Sequence, residues 1–163
     1  MPRHGRALSE YGSFLERDRE ARKMKTSVSW RGKRRFEAVA SNGQTVVIDA
    51  KPDAGGDDAG PRPMELVLMG LCGCTGIDVS LILERMRITP LRIEITADGE
   101  RAAEPPEFFT KIVMNYVVDA PDADVNKVLR AVKLSQDKYC SVAHSLRAEI
   151  VGTLVFNGQS VPW

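Results

Sequence analysis

The chain has 163 residues, 43% of them hydrophobic and 28% charged, the make-up of a single soluble globular domain with a core of its own. Its 23 Lys and Arg nearly balance 22 Asp and Glu, for a net charge of +1, so no overall field draws it to nucleic acid or to an anionic membrane, and neither partner is expected. The low-charge run 64–83 still carries Glu65 and Asp78, which speaks against a transmembrane helix. The N-terminus lacks the apolar stretch of a secretory signal, and three cysteines, an odd number, do not suit a disulfide-stapled secreted scaffold. A cytoplasmic location is therefore the expectation.

Charge is unevenly spread. Residues 1–35 hold 11 basic and 4 acidic residues, a net of +7, and the remainder carries the compensating −6. Residues 1–25 are expected to be a basic helical arm, with Ser9 as N-cap and Tyr11, Phe14 and Leu15 as a small apolar stripe. From Thr26 the period changes to two. Val28 and Trp30 alternate with serines, 36–40 is a second strand, Ser41-Asn42-Gly43 is a turn signal, and 45–49 is a third strand. Residues 50–63, rich in Pro, Gly and Asp, read as a loop.

Residues 63–87 are the longest helical candidate. Pro63 suits a first turn, Glu65 suits the positive end of the helix dipole, and Pro90 closes the element. Leu66, Val67, Leu68, Met69, Leu71 and Ile77 point around the whole circumference, so burial on most sides is expected. Gly70, Gly73 and Gly76 each cost about 1 kcal/mol against Ala in a helix interior, which calls for close approach by another backbone. Strands follow from Leu91 and from Phe108, the second with Ile112, Met114, Tyr116 and Val118 on one side. A helix opening near Asp122 carries Val125, Val128, Leu129 and Val132 and runs to about Lys138. Residues 146–156 form the last strand, with Gly152 as its weak point. The order βββ-α-ββ-α-β reads as α+β.

Cys72 and Cys74 are two residues apart on one helix, about 200° around it, so their sulfurs cannot bond each other. No third ligand lies near them in sequence, and His4 and His144 are distant, so no metal site is expected. Cys140 lies at the end of the following helix. Taken alone, each thiol is a buried packing residue or a chemical group, and spacing does not choose between them. Asp78, at i+4 from Cys74, would raise its pKa as a neighbouring anion or serve as a polar anchor, and His144 stands at i+4 from Cys140.

Three segments carry a resemblance. Pro63-Met64-Glu65-Leu66-Val67-Leu68, then Gly73-Cys74-Thr75-Gly76-Ile77-Asp78-Val79, then Leu83-Glu84-Arg85-Met86-Arg87 resemble the cysteine-bearing central helix of the OsmC/Ohr family. Tyr139-Cys140-Ser141-Val142, followed by the terminal strand, resembles the second cysteine segment of that family. The Gly-Cys-Thr-Gly-Ile-Asp-Val version is similar to the OsmC-like branch, and the likeness runs from Thr26 to Phe156, within a domain taken as 26–163.

The resemblance implies an α+β fold with antiparallel sheets packed around a buried central helix, and an intertwined homodimer. It implies a thiol-dependent peroxidase that reduces organic hydroperoxides with no cofactor. Cys74 takes the peroxidatic slot, Cys140 the resolving one, and Cys72 has no counterpart. A small-molecule hydroperoxide and a thiol or lipoyl-type reductant are the implied partners. The family activates its cysteine with an Arg held by a carboxylate. Arg31, Arg34, Arg35 and Arg62 are available, and Arg35 is the choice. Glu65 is the carboxylate, one residue from the register of the hydroperoxide reductases, where this chain has Met64. The alternative is a non-catalytic member of the fold that binds a small apolar ligand, its cysteines structural.

Overall fold

The computed structural model describes residues 23–163, so most of the basic arm at 1–25 lies outside the described residues. The described chain forms two compact units, one ending at Pro63 and the other running from Met64 to Trp163. In the first, β1 (Ser27–Trp30), β2 (Phe36–Val39) and β3 (Thr45–Ile48) make an antiparallel meander in which Phe36 pairs with both Trp30 and Ile48. The segment expected to be a featureless loop is organised around Asp49. Its buried carboxylate accepts the backbone N–H groups of Ala50, Asp57 and Ala59 at 2.8, 3.0 and 3.2 Å. Burial would push this carboxyl up, but those three N–H groups and Arg35 together bring it below its ordinary value.

The second unit starts with helix α1 (Pro63–Arg85), which ends where Arg87 adopts a φ of +59°. Strands β4 (Arg92–Arg101) and β5 (Phe109–Asp119) follow as a long antiparallel pair. Helix α2 (Val125–Leu134) is capped by Asp124, whose side chain accepts the Asn126 N–H. It passes into a π-helical turn, Ser135–Tyr139, and then into the short helix α3 (Ser141–Ser145). Strands β6 (Glu149–Phe156) and β7 (Gln159–Val161) complete a four-stranded sheet in the order β4-β5-β6-β7.

Two expectations need correction. The sheets are not all antiparallel, because β5 and β6 run parallel. The chain crosses over through α2 and α3 between them, and a crossover of that length returns it to the starting edge. Nor is α1 buried on most sides. Leu71, Thr75, Val79 and Leu83, spaced by four, are its buried residues, while Met69, Ile77 and Leu81 are exposed. Among the described residues nothing approaches its glycines closely either. A Cβ on Gly70 or Gly73 would meet nothing within 4 Å, and one on Gly76 would touch only Ile95 at 3.5 Å.

The core follows from these faces. Leu71, Val79 and Leu83 share one cluster with the inward residues of β5 (Ile112, Met114, Tyr116, Val118) and with Val128, Ala131 and Val132 of α2. By length and composition α1 could cross a membrane, but here its apolar face is part of the core of an α+β domain. Gly152 has a positive reason to be glycine. A Cβ there would run into the Trp163 ring, which stacks on Tyr116 with centroids 5.8 Å apart.

Leu83 is fully buried between α1 and this sheet cluster, so Leu83→Ala should destabilise the fold by about 2–5 kcal/mol. Urea unfolding should show a lower midpoint at an unchanged slope, and a loss under about 0.5 kcal/mol would mean that α1 does not anchor the core.

Candidate functional site

Helix α1 turns its buried stripe inward, and Thr75 belongs to that stripe, so Cys74 falls beside it at the edge of the core. Asp78 follows one turn later on the face of Cys74. Cys140 arrives from the segment that follows α2. It is fully buried, and its backbone N–H donates to Ser135 O at 2.9 Å, the five-residue step that defines a π turn. The Cys140 backbone is extended at this point, which makes it the N-cap of α3. The outcome is a meeting of residues 66 positions apart in the chain. Cys74 Sγ, Cys140 Sγ and a carboxylate oxygen of Asp78 lie within 4.8 Å of one another.

Polar groups surround this trio. The Ala143 N–H donates to Cys140 Sγ at 3.4 Å, and the Val142 N–H points at the sulfur of Cys74. The Thr75 hydroxyl donates to Leu71 O at 2.9 Å and lies 3.4 Å from Cys140 Sγ. Ser135 Oγ donates to Asp78 Oδ2 at 3.1 Å, which fixes the carboxylate. Behind them Tyr116 donates to Gln136 Oε1 at 3.4 Å, and burial pushes its phenol up.

The Cys74 thiol is pushed above its ordinary value. Burial is the largest cause, and the neighbouring Cys140 and the anionic Asp78 add to it, while the Val142 N–H opposes it. Burial also raises Cys72. Cys72 faces away from the trio, into a groove of about 380 Å³ that Glu65, Met69 and Ile95 also line. The half turn between positions 72 and 74 is what separates the two environments.

Arg35 lies in the first unit, where Asp57 Oδ2 holds its Nη2 at 3.0 Å and Asp49 Oδ2 is 3.9 Å from its Nε. Aspartates of the 49–57 segment thus supply carboxylates to Arg35. Glu65 stands in the first turn of α1. His144 is exposed in the last turn of α3, and its backbone N–H donates to Cys140 O at 3.1 Å.

Thr75 and Ser135 contribute to the site without having been singled out in the sequence. Thr75 adjoins Cys74, and that adjacency was the available signal. Ser135 had none, because the π turn that delivers it leaves no Gly or Pro mark.

The electrostatics fix a sign. Alkylation of Cys74 by iodoacetamide should rise with pH and reach half its maximum above the ordinary cysteine value of about 8.5. Asp78→Asn removes the neighbouring anion, so the midpoint for Cys74 should move down while that for Cys72 stays in place. Peptide-resolved mass spectrometry separates the two thiols, and an upward or absent shift at Cys74 would contradict the assigned cause.

Residues 55–155 match the family described as OsmC-like protein. Protein YhfA of Escherichia coli (strain K12) is 37% identical over 127 residues, covering 78% of this chain and 92% of that protein. Among solved structures, a hypothetical protein from Aquifex aeolicus VF5 aligns with a TM-score of 0.68 at 27% identity, over 82% of this chain and 97% of its own. The organic hydroperoxide resistance protein OhrB of Bacillus subtilis shares the fold, with a TM-score of 0.54 at 22% identity, over 82% of this chain and 97% of its own. The family match over residues 55–155, together with 37% identity to YhfA over most of both chains, shows that the chain belongs to the OsmC-like proteins.

Proposed function

We propose that this chain is a thiol-dependent peroxidase that reduces organic hydroperoxides in a reducing, cytoplasmic compartment. The observation that carries the reading is the approach of the Cys74 and Cys140 sulfurs to within 4.8 Å, close enough to join after a small adjustment. The Cys74 thiolate attacks the outer peroxide oxygen. The O–O bond breaks, the alkoxide leaves and takes up a proton as the alcohol, and Cys74 becomes a sulfenic acid. The Cys140 thiol then attacks that sulfur, a disulfide forms and water leaves. A dithiol of lipoyl type, or two monothiols, returns both cysteines to thiols and is itself oxidised to a disulfide. Membership of the family, and the likeness of fold to a hydroperoxide resistance protein, support the same reading.

The raised Cys74 thiol makes a cation necessary for attack at neutral pH. Arg35 is assigned that part and Glu65 a supporting one, so Arg35→Gln should slow peroxide attack by at least tenfold. The second reading is a non-catalytic member of the fold that binds a small apolar ligand, its cysteines structural, and the carboxylate of Asp78 beside Cys74 favours it, since an anion there opposes the thiolate.

We also propose that the working form is a homodimer. Met69, Ile77 and Leu81 of α1 and Val28 and Trp30 of β1 are exposed in the single chain, and Gly70 and Gly73 leave open space on the same helix. Sedimentation at micromolar concentration should give a dimer, and Ile77→Glu should shift it toward monomer. A wild-type chain that sediments as a monomer would remove this part of the proposal.

Turnover kinetics with cumene hydroperoxide and dihydrolipoamide separate the two functional readings. Cys74→Ser should abolish turnover. Cys140→Ser should consume one equivalent and stop, leaving Cys74 as sulfenic acid that oxidises further. Cys72→Ser should retain nearly the full rate. Peroxide consumption that is no faster with wild type than with Cys74→Ser would favour the non-catalytic member.

A further inference from the structure

Asp78 has no task in the thiol cycle, and as an anion beside Cys74 it works against it. Its geometry suits another purpose. Two thiols and a carboxylate converge, each with one ligand atom, inside a 4.8 Å span. This soft, mixed S₂O set is one that zinc accepts, with sulfur at about 2.3 Å and carboxylate oxygen at about 2.0–2.2 Å from the ion. In tetrahedral coordination those lengths put the trio's ligand atoms about 3.5–3.8 Å apart, so closing the trio takes at most about 1.3 Å.

The surroundings are those of held ligands. Ser135 Oγ engages Asp78 Oδ2 at 3.1 Å, which orients the carboxylate and leaves lone pairs for an ion. Backbone N–H groups of Val142 and Ala143 address the sulfurs of Cys74 and Cys140, the hydrogen bonding that supports metal-bound thiolates. The three ligands come from two segments, 74 and 78 on α1 and 140 after the π turn, so the folded domain presents what the sequence kept apart.

We propose that Cys74, Asp78 and Cys140 form a site for a zinc-class divalent ion in the reduced protein, with water as fourth ligand. Binding releases the protons of the two thiols and cancels the charge conflict at Asp78. The site goes beyond the peroxidase reading but shares its sulfurs, so the two uses exclude each other. A hydroperoxide that oxidises both thiolates to the disulfide takes up two protons, leaves as alcohol and water, and releases the ion.

The test uses the full chain, reduced with a phosphine, stripped with a chelator and titrated with Zn²⁺ against a chromogenic competitor. Co²⁺ serves as the spectroscopic probe. Wild type should bind one ion per chain, and the Co²⁺ form should show sulfur-to-metal charge transfer and tetrahedral visible bands. Cys74→Ser, Cys140→Ser and Asp78→Asn should each weaken binding by at least tenfold, and Cys72→Ser should bind within twofold of wild type. Asp78→Asn keeps the side-chain shape and the contact to Ser135, and circular dichroism checks its fold. One equivalent of cumene hydroperoxide should release the ion. Binding that is unchanged in Asp78→Asn and Cys140→Ser, or no tighter in wild type than in the Cys74→Ser/Cys140→Ser double variant, would overturn the site. Peroxide turnover without ion binding would leave the enzyme reading standing, and ion binding without turnover would leave the site standing without the enzyme.

Discussion

The placement of one helix governs everything else in the second unit. Four residues of α1, Leu71, Thr75, Val79 and Leu83, are drawn into the core by the apolar face of β5, and this sets the rotation of the helix. With that rotation fixed, Cys74 and Asp78 fall on the flank nearest Cys140, Cys72 faces the β4 groove, and Met69 and Ile77 are left outside. A rotation of one residue, about 100°, would turn Cys74 and Asp78 off that flank.

The second half of the site depends on a departure from regular helix. A continued α-helix through 135–139 would carry position 140 onward along the α2 axis. The wider π turn instead closes Cys140 N–H onto Ser135 O, and an extended Cys140 breaks the helix before α3, whose first turn addresses both sulfurs. π segments inside helices often accompany function, and this one delivers both Ser135 and Cys140. The cost of burying polar groups is met locally: Thr75, Ser135, Asp78 and Cys140 satisfy one another or nearby backbone.

Much of the fold was legible because periodicity reports burial. The strict alternation of Ile112, Met114, Tyr116 and Val118 matches four residues at 0–1% exposure, and the βββ-α-ββ-α-β order is present with a short β7 and α3 added. The glycines of α1 cost helix stability, which says that a reason for them exists without saying which chain supplies it. Gly152 misled: it reads as a weak point in a strand, yet it makes room for a Trp eleven residues later. The two cysteine segments were legible as a resemblance, but not Asp78 as their neighbour on both sides, nor the hold of Asp57 and Asp49 on Arg35, since such contacts are set by tertiary packing.

The account rests on Cys74 and Cys140 forming one redox pair, with Cys72 outside it. Disulfide mapping tests this most directly. The reduced chain is treated with one equivalent of alkyl hydroperoxide, blocked, digested without reduction and sequenced by fragmentation. The account predicts an intramolecular Cys74–Cys140 link with Cys72 blocked as a free thiol. A link from Cys72 to Cys140, or oxidation that never joins Cys74 to Cys140, would contradict it.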